Sequence, residues 1–295
     1  MSAVSPTTSW TVLELLRWTT THFAERGIDS ARLDAECLLA HALGTDRLRL
    51  YLDFEKPVTE GERAVFRELV RRRGSDRVPV AQLLGRREFW SLPLRVNGDV
   101  LAPRPETETL VEAALERLPE GAEGRLLEIG TGSGAVALAL ASERPRARIT
   151  ATDISSRALE LARRNADELH LGERIRWLEG SLFEPVAGER FDLVVSNPPY
   201  VAESQRAELP PELAYEPDEA LFGGPDGTEL LRQLVLGVGD VLAPDGCLAL
   251  ELSPEQAPAV TGWCHEVGLL EVSKRRDLAG RVRVLTAAPG SRGGM

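Results

Sequence analysis

Cysteine is scarce in this chain of 295 residues, which has only Cys37, Cys247 and Cys264. The three residues do not form the closely spaced pairs from which zinc sites are built, and their number does not suit a disulfide framework. The sequence therefore predicts neither a metal site nor structural disulfides. A reducing compartment is the simplest setting for such a chain.

Long apolar runs, a leader-like start and an excess of basic residues are also missing. No stretch approaches the roughly 20 apolar residues that a membrane span needs. The opening MSAVSPTTSW has no basic segment leading into an apolar one. Acidic residues outnumber basic ones by 46 to 35, a net charge of -11, which argues against a broad nucleic-acid-binding surface. We expect a soluble cytoplasmic protein, a monomer, that contacts neither membranes nor nucleic acid directly.

The length suggests a large domain and a smaller one, and the first part of the chain reads as helices over residues 9 to about 74. Gly44 can end one helix, and Thr59 followed by Glu62 forms a capping box that starts another. Arginines 71–73 are expected at a solvated helix end. Apolar residues recur at helical spacing in two segments, at Val12, Leu15, Leu16 and Phe23 and at Leu33, Cys37, Leu38 and Ala42.

The pattern changes between Phe89 and Leu101. Alternating apolar residues precede Asn97-Gly98, a dipeptide typical of a tight hairpin turn, and Val100 resumes the pattern. We therefore predict a hairpin that links two parts of the chain. The expected organisation is a helical domain over residues 1–80, a hairpin linker over 81–104 and a second domain over 105–295.

From residue 125 the chain alternates strand-like and helical stretches. Such alternation predicts an α/β fold with a mostly parallel sheet covered by helices on both faces. Ligands in this architecture lie beyond the carboxyl ends of the strands. The predicted strands are RLLEI, RITATD, RIRWLEG, FDLVVS, CLALELS and RVRVLTAA, and the predicted helices are residues 134–142, 155–170, 226–242 and 254–267.

Two strand ends carry features of a nucleotide site. Gly130, Gly132 and Gly134 follow the first strand and open a helix, so a ligand can approach the backbone closely. The spacing also fits a dinucleotide-binding loop or a tight turn without a ligand. Asp153 ends the next strand about twenty residues later, where a carboxylate can accept both hydroxyls of a ribose. Its alternative role is to cap the helix that begins near Ser155.

A third strand end carries Asn197-Pro198-Pro199-Tyr200. Prolines cannot extend a central strand because they have no N–H to donate. Asn197 offers a side-chain carbonyl and Pro198 a backbone carbonyl, both able to accept hydrogen bonds from the two N–H atoms of a planar nitrogen. Tyr200 can cover such a planar group with its ring. The motif therefore indicates transfer of a group to an amide or amine nitrogen.

Together, the glycine loop, Asp153 and the Asn-Pro-Pro-Tyr motif resemble class I S-adenosylmethionine-dependent methyltransferases that act on nitrogen. The segment PVAQLLGRREFWSLPLRVNGDVLAPRPETETLV looks like the linker of the peptide chain release factor N5-glutamine methyltransferases (the PrmC/HemK family). DAECLLAHALG and YEPDEALFGGPDGTELLRQL are similar to the same family. The resemblance covers nearly the whole chain and implies a Rossmann-like methyltransferase sheet with a small N-terminal helical domain.

The resemblance also implies a reaction. The family methylates the side-chain amide nitrogen of the Gln in the Gly-Gly-Gln motif of class I release factors, with S-adenosylmethionine as cofactor. The helical domain, residues 1–80, would help to recognise the release factor. Ser181 departs from the family pattern, where Asp is usual, so we expect a weaker contact on the adenine side of the cofactor.

Site residues are carried over by motif. Catalytic roles fall on Asn197, Pro198, Pro199 and Tyr200, which would hold the glutamine amide. The segment Arg104, Pro105, Glu106 and Thr107 would line the pocket. Cofactor-binding roles fall on Gly130, Thr131, Gly132, Ser133 and Gly134 as the loop, Asp153 at the ribose, Leu182 beside the adenine, and Asn197.

Four other functions fit parts of the sequence. A DNA adenine methyltransferase shares the Asn-Pro-Pro-Tyr logic but needs a basic surface for phosphates. A methyltransferase for glutamine on another protein, such as a ribosomal protein, fits the PRPETE segment less well. A nicotinamide-dependent oxidoreductase would use GTGSGA as a dinucleotide loop but leaves Asn-Pro-Pro-Tyr unexplained. A non-catalytic cofactor-binding adaptor would bind the cofactor without transferring its methyl group.

Overall fold

The computed structural model describes residues 10–290, which form two compact units that divide between Gly85 and Arg86. The prediction that the chain starts without an export signal concerns mainly residues 1–9, which lie outside the described part. Among residues 10–290, every helix is too short or too polar to cross a membrane.

The first unit is helical. Apolar residues of α1 pack into its core at the predicted spacing, and the capping box of Thr59 and Glu62 starts α4 as predicted. Gly44 follows the end of α2 in a left-handed conformation, with φ at +61°. The helices are α1 (Val12–Ala24), α2 (Ala31–Ala42), α3 (Arg47–Leu52), α4 (Glu60–Gly74) and α5 (Val80–Leu84).

Two details of this unit differ from the prediction. Leu33 is exposed, although it was predicted to face the core. The face of α2 that packs into the core carries Ala35, Leu38 and Leu39 instead. The arginines at the end of α4 are not all solvated either. Arg73 is buried, and its Nε lies 2.7 Å from Oδ2 of Asp34 in an ion pair. A buried charge needs such a partner because its desolvation is costly.

A hairpin opens the second unit, but its turn is not at Asn97-Gly98. Strands β1 (Arg86–Phe89) and β2 (Leu92–Arg95) pair antiparallel and are joined by Trp90 and Ser91. Both turn residues have positive φ, +52° and +58°, the twist that a two-residue hairpin turn requires. The sequence prediction was wrong because tertiary contacts hold this turn: Trp90 donates its backbone N–H to Glu108 and its indole N–H to Glu143.

A seven-stranded sheet forms the centre of the second unit, in the order β5-β4-β3-β6-β7-β9-β8. The strands from β3 to β7 are parallel, whereas β9 pairs antiparallel with β7 and with β8. The mostly parallel α/β sheet is therefore confirmed. The strands are β3 (Arg125–Ile129), β4 (Arg148–Asp153), β5 (Ile175–Glu179), β6 (Phe191–Ser196), β7 (Leu242–Glu251), β8 (Glu271–Arg276) and β9 (Val282–Ala288).

Helices cover both faces of the sheet. On β6, Leu193 and Val195 pack on the side of α6 and α7, whereas Val194 packs on the side of α9 and α10. This burial on both faces explains the continuous apolar runs of the central strands. The helices are α6 (Glu108–Arg117), α7 (Ala135–Glu143), α8 (Ser156–Glu168), α9 (Glu229–Gly237) and α10 (Ala257–Glu266).

Short 3-10 turns connect many of these elements. One of them takes up Val238–Asp240, so the helix predicted over residues 226–242 is shorter at both ends. At its start, Asp226 accepts the backbone N–H of Thr228 and holds a turn instead of a helix. The other turns are Pro105–Thr107, Gly172–Arg174, Glu184–Val186, Glu203–Glu208, Pro211–Tyr215, Asp218–Ala220 and Pro254–Gln256.

Candidate active site

A cavity of about 320 Å³ lies at the carboxyl ends of β3, β4 and β6. The chain runs outward from β3 to β4 and β5 and then returns to β6 on the other side of β3. Such a reversal opens a crevice, which is where ligands bind in open α/β sheets. Residues predicted for the site that line the cavity are Gly130, Thr131, Gly132, Ser133, Asp153, Leu182, Asn197, Pro198 and Pro199.

The glycine loop between β3 and α7 exposes its backbone to the cavity. The backbone N–H groups of Gly130 and Thr131 both donate to the carbonyl of Thr152, which fixes the loop to β4. Gly132 has φ at +55°, and a Cβ atom added there would meet no atom within 4 Å. The space that a side chain would fill is therefore open to a ligand.

Gly134 has a different role from the other loop glycines. It is not part of the cavity lining, and a Cβ atom there would lie 3.1 Å from Ala162 and 3.3 Å from Trp177. The glycine thus allows the start of α7 to pack closely against its neighbours. The sequence predicted Gly134 as a cofactor contact. In this structure Gly134 supports the loop by allowing close packing at the start of α7.

Asp153 joins the glycine loop to the start of α8. Its Oδ2 accepts the N–H of Gly132 at 2.8 Å, and its Oδ1 accepts the N–H of Ser155 at 2.9 Å. Burial raises the pKa of Asp153, while these backbone donors act in the opposite direction. The capping atom of α8 is the hydroxyl of Ser155, which accepts the N–H of Ala158. A carboxylate has about four lone-pair sites, so Asp153 keeps acceptor capacity for a donor in the cavity.

Asn197 follows β6 and has a defined orientation. Its Nδ2 donates to Oγ1 of Thr107 at 3.1 Å, so its carbonyl oxygen Oδ1 is directed away from Thr107. Among residues 10–290, no group donates to Oδ1. Nearby, the hydroxyl of Ser196 donates to the carbonyl of Ile129 at 2.7 Å and ties the end of β6 to β3. The cavity therefore contains a held side-chain acceptor at a position next to Pro198.

Comparison with known proteins shows which family this chain is similar to. Two family models match the chain, the PrmC N-terminal domain over residues 14–85 and the methyltransferase small domain over residues 107–223. A release factor glutamine methyltransferase from Rhodopirellula baltica is 45% identical over 97% of this chain and 99% of that protein. Another from Geobacter sulfurreducens is 44% identical over 94% of this chain and 96% of that protein.

The chain belongs to the release factor glutamine methyltransferase family. It is therefore a methyltransferase, and the nicotinamide-dependent oxidoreductase considered from the sequence does not describe it. The fold is also that of solved methyltransferases: one from Pyrococcus furiosus has a TM-score of 0.52 at 24% identity, over 68% of this chain and 89% of that chain.

Tyr200 differs from the other residues of the methyltransferase motif, because it does not line the cavity. Its hydroxyl instead donates to Oε1 of Glu251 at 3.1 Å. A half-buried phenol gains from such a partner, and desolvation raises the pKa of Tyr200 well above its usual range. In this structure its ring packs against the core on the α9 side of the sheet instead of covering a planar substrate.

Two of the four residues in the Arg104–Thr107 segment line the cavity, namely Arg104 and Thr107. Arg104 pairs with Oε2 of Glu216 at 2.6 Å, and Oε1 of Glu216 accepts the N–H of Ala102 at 3.3 Å. Glu216 is buried and belongs to the segment 201–228. This ion pair therefore fixes the segment that contains Arg104 to the segment 201–228, and both segments line the cavity.

The segment 201–228 lies directly on the backbone of the motif. A Cβ atom on Gly227 would be 2.4 Å from the carbonyl oxygen of Tyr200, and one on Gly223 would be 2.4 Å from that of Pro199. Gln256 donates from Nε2 to the carbonyls of both Tyr200 and Gly227, each at 2.9 Å. Glycine is thus required where this segment approaches the motif.

Glu128 is a site residue that the sequence reasoning missed. It is buried at the end of β3, lines the cavity, and its Oε2 accepts the hydroxyl of Thr131 at 2.6 Å and the N–H of Ala137 at 3.0 Å. Burial raises its pKa to about 8, against the effect of these donors. The signal was present in the sequence: a carboxylate within an apolar strand is rarely buried without a specific partner.

Proposed function

We propose that this enzyme transfers the methyl group of S-adenosylmethionine to the side-chain amide nitrogen of the Gln in the Gly-Gly-Gln motif of class I peptide chain release factors. The relatives at 44–45% identity are release factor glutamine methyltransferases, which supports the release factor as substrate. The observation that carries the proposal is one cavity that contains the open glycine loop, Asp153 and the held carbonyl of Asn197.

The residues present fit the cofactor. Gly130 and Gly132 leave space at their Cα atoms for a ligand to approach the backbone. Asp153 offers acceptors for the ribose hydroxyls, and Leu182 offers an apolar contact for the adenine. When bound, S-adenosylmethionine supplies an electrophilic methyl group on a positively charged sulfur.

The protein residues act on the amide that accepts this group. An amide nitrogen is a poor nucleophile because its lone pair is delocalised into the carbonyl. Oδ1 of Asn197 and the backbone carbonyl of Pro198 accept its two N–H atoms. They stabilise the positive charge that develops as the nitrogen forms its new bond. Thr107 holds the side chain of Asn197 and Pro199 restricts the conformation of Pro198, so both acceptors are in place before the substrate arrives.

Proton removal does not require a dedicated base. Once the nitrogen has gained a methyl group it is acidic, and its proton is lost to water. Catalysis then rests on the orientation of the amide and on the two acceptors.

The experiment is methyl transfer from labelled S-adenosylmethionine to a purified class I release factor, with a factor carrying Gln→Ala in its Gly-Gly-Gln loop as control. We expect label on the unchanged factor alone. Label on the control factor would overturn the assigned residue, and label only on DNA or on a ribosomal protein would overturn the substrate. Cofactor binding without any transfer would identify the adaptor instead.

A further inference from the structure

Glu251 is a buried carboxyl group behind the Asn-Pro-Pro-Tyr motif. It is the last residue of β7, between β6 and β9, and only 1% of it is exposed. Tyr200 donates its hydroxyl to Oε1 at 3.1 Å. The other oxygen, Oε2, has no close hydrogen-bond partner among residues 10–290. A carboxyl group left half-satisfied in the core is costly.

Thr107 holds Asn197 and can serve as the donor that this carboxyl group lacks. The Thr107 side chain is buried, and its oxygen accepts the N–H of Asn197 at 3.1 Å. The hydroxyl of Thr107 also lowers the pKa of Glu251, as does that of Tyr200, so Thr107 lies near the carboxyl group. Since Oε2 has no close donor of its own, it can take the Thr107 proton without losing another bond. Tyr200 is therefore bonded to the carboxyl group, and Thr107, which holds Asn197, has a hydroxyl proton that the unpartnered oxygen can accept.

The direction of these bonds decides what Asn197 presents to the cavity. A hydroxyl can donate or accept, but a carboxylate can only accept. When Glu251 takes the Thr107 proton, the oxygen of Thr107 must accept from Nδ2 of Asn197, and Oδ1 then faces the substrate. If Thr107 donated to Asn197 instead, the amide would turn over and present N–H groups to the N–H groups of the substrate.

Arg283 supports the same arrangement from β9. It donates toward the hydroxyl of Tyr200 at 3.5 Å and is held by Oδ2 of Asp277 at 3.3 Å. A cation that donates to the phenol oxygen leaves the phenol proton for Glu251. In the other branch, from Asn197 through Thr107 to Glu251, the bonds would also run in one direction and strengthen one another, which makes the carbonyl of Asn197 a better acceptor.

We propose that Glu251 is the positioning residue of this active site: its carboxylate sets the orientation of Asn197 through Thr107 and that of Tyr200 directly. The inference rests on the proposed function, because it assumes that Asn197 holds a substrate amide. It adds a residue that acts without touching the substrate or the cofactor.

The test compares methylation of a release factor by Glu251→Gln, Thr107→Val and the double variant. Gln keeps the size of the side chain but brings N–H donors, which can reverse the bond to Thr107. We expect kcat to fall roughly 10- to 100-fold in each single variant. The dissociation constant of S-adenosylmethionine and the KM for the release factor should change by no more than about twofold, the pattern of an interaction that acts in the transition state.

The double variant separates a shared pathway from two independent defects. If both residues act through one chain of bonds, the double variant should be about as slow as the slower single variant. Multiplied losses would overturn the proposal. Thr107→Ser restores the hydroxyl, so it should recover most of the activity that Thr107→Val loses. Glu266→Gln, the same change at an exposed position on α10, is the matched control for a lost carboxylate.

The pH profile is a second readout that a purely structural role would not move. Burial raises the pKa of Glu251 to about 7, with Glu106 acting in the same direction, while Thr107, Tyr200 and Arg283 lower it. The chain of bonds needs the ionised form, so kcat of the unchanged enzyme should decline as the pH falls through this range. Glu251→Gln should lack this decline, and an unchanged profile would contradict the proposal.

The outcomes distinguish this inference from the proposed function. If the unchanged enzyme fails to label the release factor, the proposed function fails. If the unchanged enzyme labels it and folded Glu251→Gln is equally fast, only the positioning role fails. Should Glu251→Gln not fold, Thr107→Val and Thr107→Ser decide the question by kcat, because they leave the carboxyl group in place.

Discussion

Alanine substitutions at two glycines of the same loop should impair different properties of the protein. Gly134→Ala should mainly lower stability, whereas Gly132→Ala should mainly weaken cofactor binding. Both residues have positive φ, +55° and +83°. An L-residue in this region costs about 1–2 kcal/mol, and this cost is common to the two variants. The added methyl group of Gly132→Ala meets no atom within 4 Å, whereas that of Gly134→Ala lies 3.1 to 3.3 Å from three side-chain atoms.

The difference in stability follows from these contacts. Overpacking a close-packed interior costs about 1–3 kcal/mol, which applies to Gly134→Ala alone. In a domain of about 150–250 residues, each kcal/mol shifts Tm by about 2–4 °C. Gly134→Ala should therefore melt about 2–12 °C below Gly132→Ala, even though the two positions are separated by a single residue.

Cofactor binding should be weakened more by Gly132→Ala than by Gly134→Ala. The methyl group of Gly132→Ala enters the cavity, so we expect S-adenosylmethionine to bind at least about tenfold more weakly, a loss of about 1.4 kcal/mol. Thermal unfolding without ligand and titration calorimetry with S-adenosylmethionine measure the two effects separately. A Gly134→Ala protein that melts no lower than Gly132→Ala would refute the packing role of Gly134, and a Gly132→Ala protein that binds the cofactor like the unchanged protein would refute the ligand role of Gly132.

Three further predictions concern the same cavity. The pKa of Glu128 is raised to about 8 on folding, so the folded state holds the extra proton and its contribution to stability is lost as the pH rises from about 4.5 through about 8. Glu128→Gln should flatten this decline in urea unfolding measured across that range, and parallel curves would contradict it. Ser181→Asp should tighten S-adenosylmethionine binding roughly threefold to tenfold in calorimetry, and unchanged binding would contradict the adenine-side role. Gly227→Ala should lower kcat at least about tenfold in the methylation assay, because the Cβ atom would lie 2.4 Å from the carbonyl of Tyr200 and displace the motif; full activity would show that the segment 201–228 does not position it.

Much of the sheet could be predicted because its central strands are buried on both faces. RLLEI, RITATD and FDLVVS coincide with β3, β4 and β6, since a parallel strand in the middle of a sheet must be apolar throughout. The strand Glu271–Arg276 was missed because it lies at the sheet edge and carries mostly charged, exposed side chains. Such a pattern protects an edge from pairing but does not look like a strand.

Tertiary contacts account for the other errors in the fold. The turn at Trp90 and Ser91 has no glycine, and its conformation depends on Glu108 and Glu143, which follow much later in the chain. Asn97-Gly98 has the local preference for a hairpin turn, but the side chain of Asn97 accepts the N–H of Asp99 and closes a different turn.

The parts of the site that touch a ligand could be predicted better than the parts that hold them. Glycines and Asn-Pro-Pro lie at strand ends, where sequence spacing and the geometry of parallel sheets bring them together. Glu128 and Glu251 belong to strands β3 and β7, and their partners Thr131 and Tyr200 are known only once the chain is folded. The orientation of Tyr200 toward Glu251 could not be inferred from the motif for the same reason.

The central claim is that Asn197 presents a fixed acceptor to the N–H of a glutamine amide. Single-turnover methylation of a class I release factor by Asn197→Ala, with saturating S-adenosylmethionine, tests it most directly. We predict a rate about 10²- to 10³-fold lower than that of the unchanged enzyme, the usual loss when one preorganised group is removed. A variant that methylates the release factor at the unchanged rate would contradict the claim.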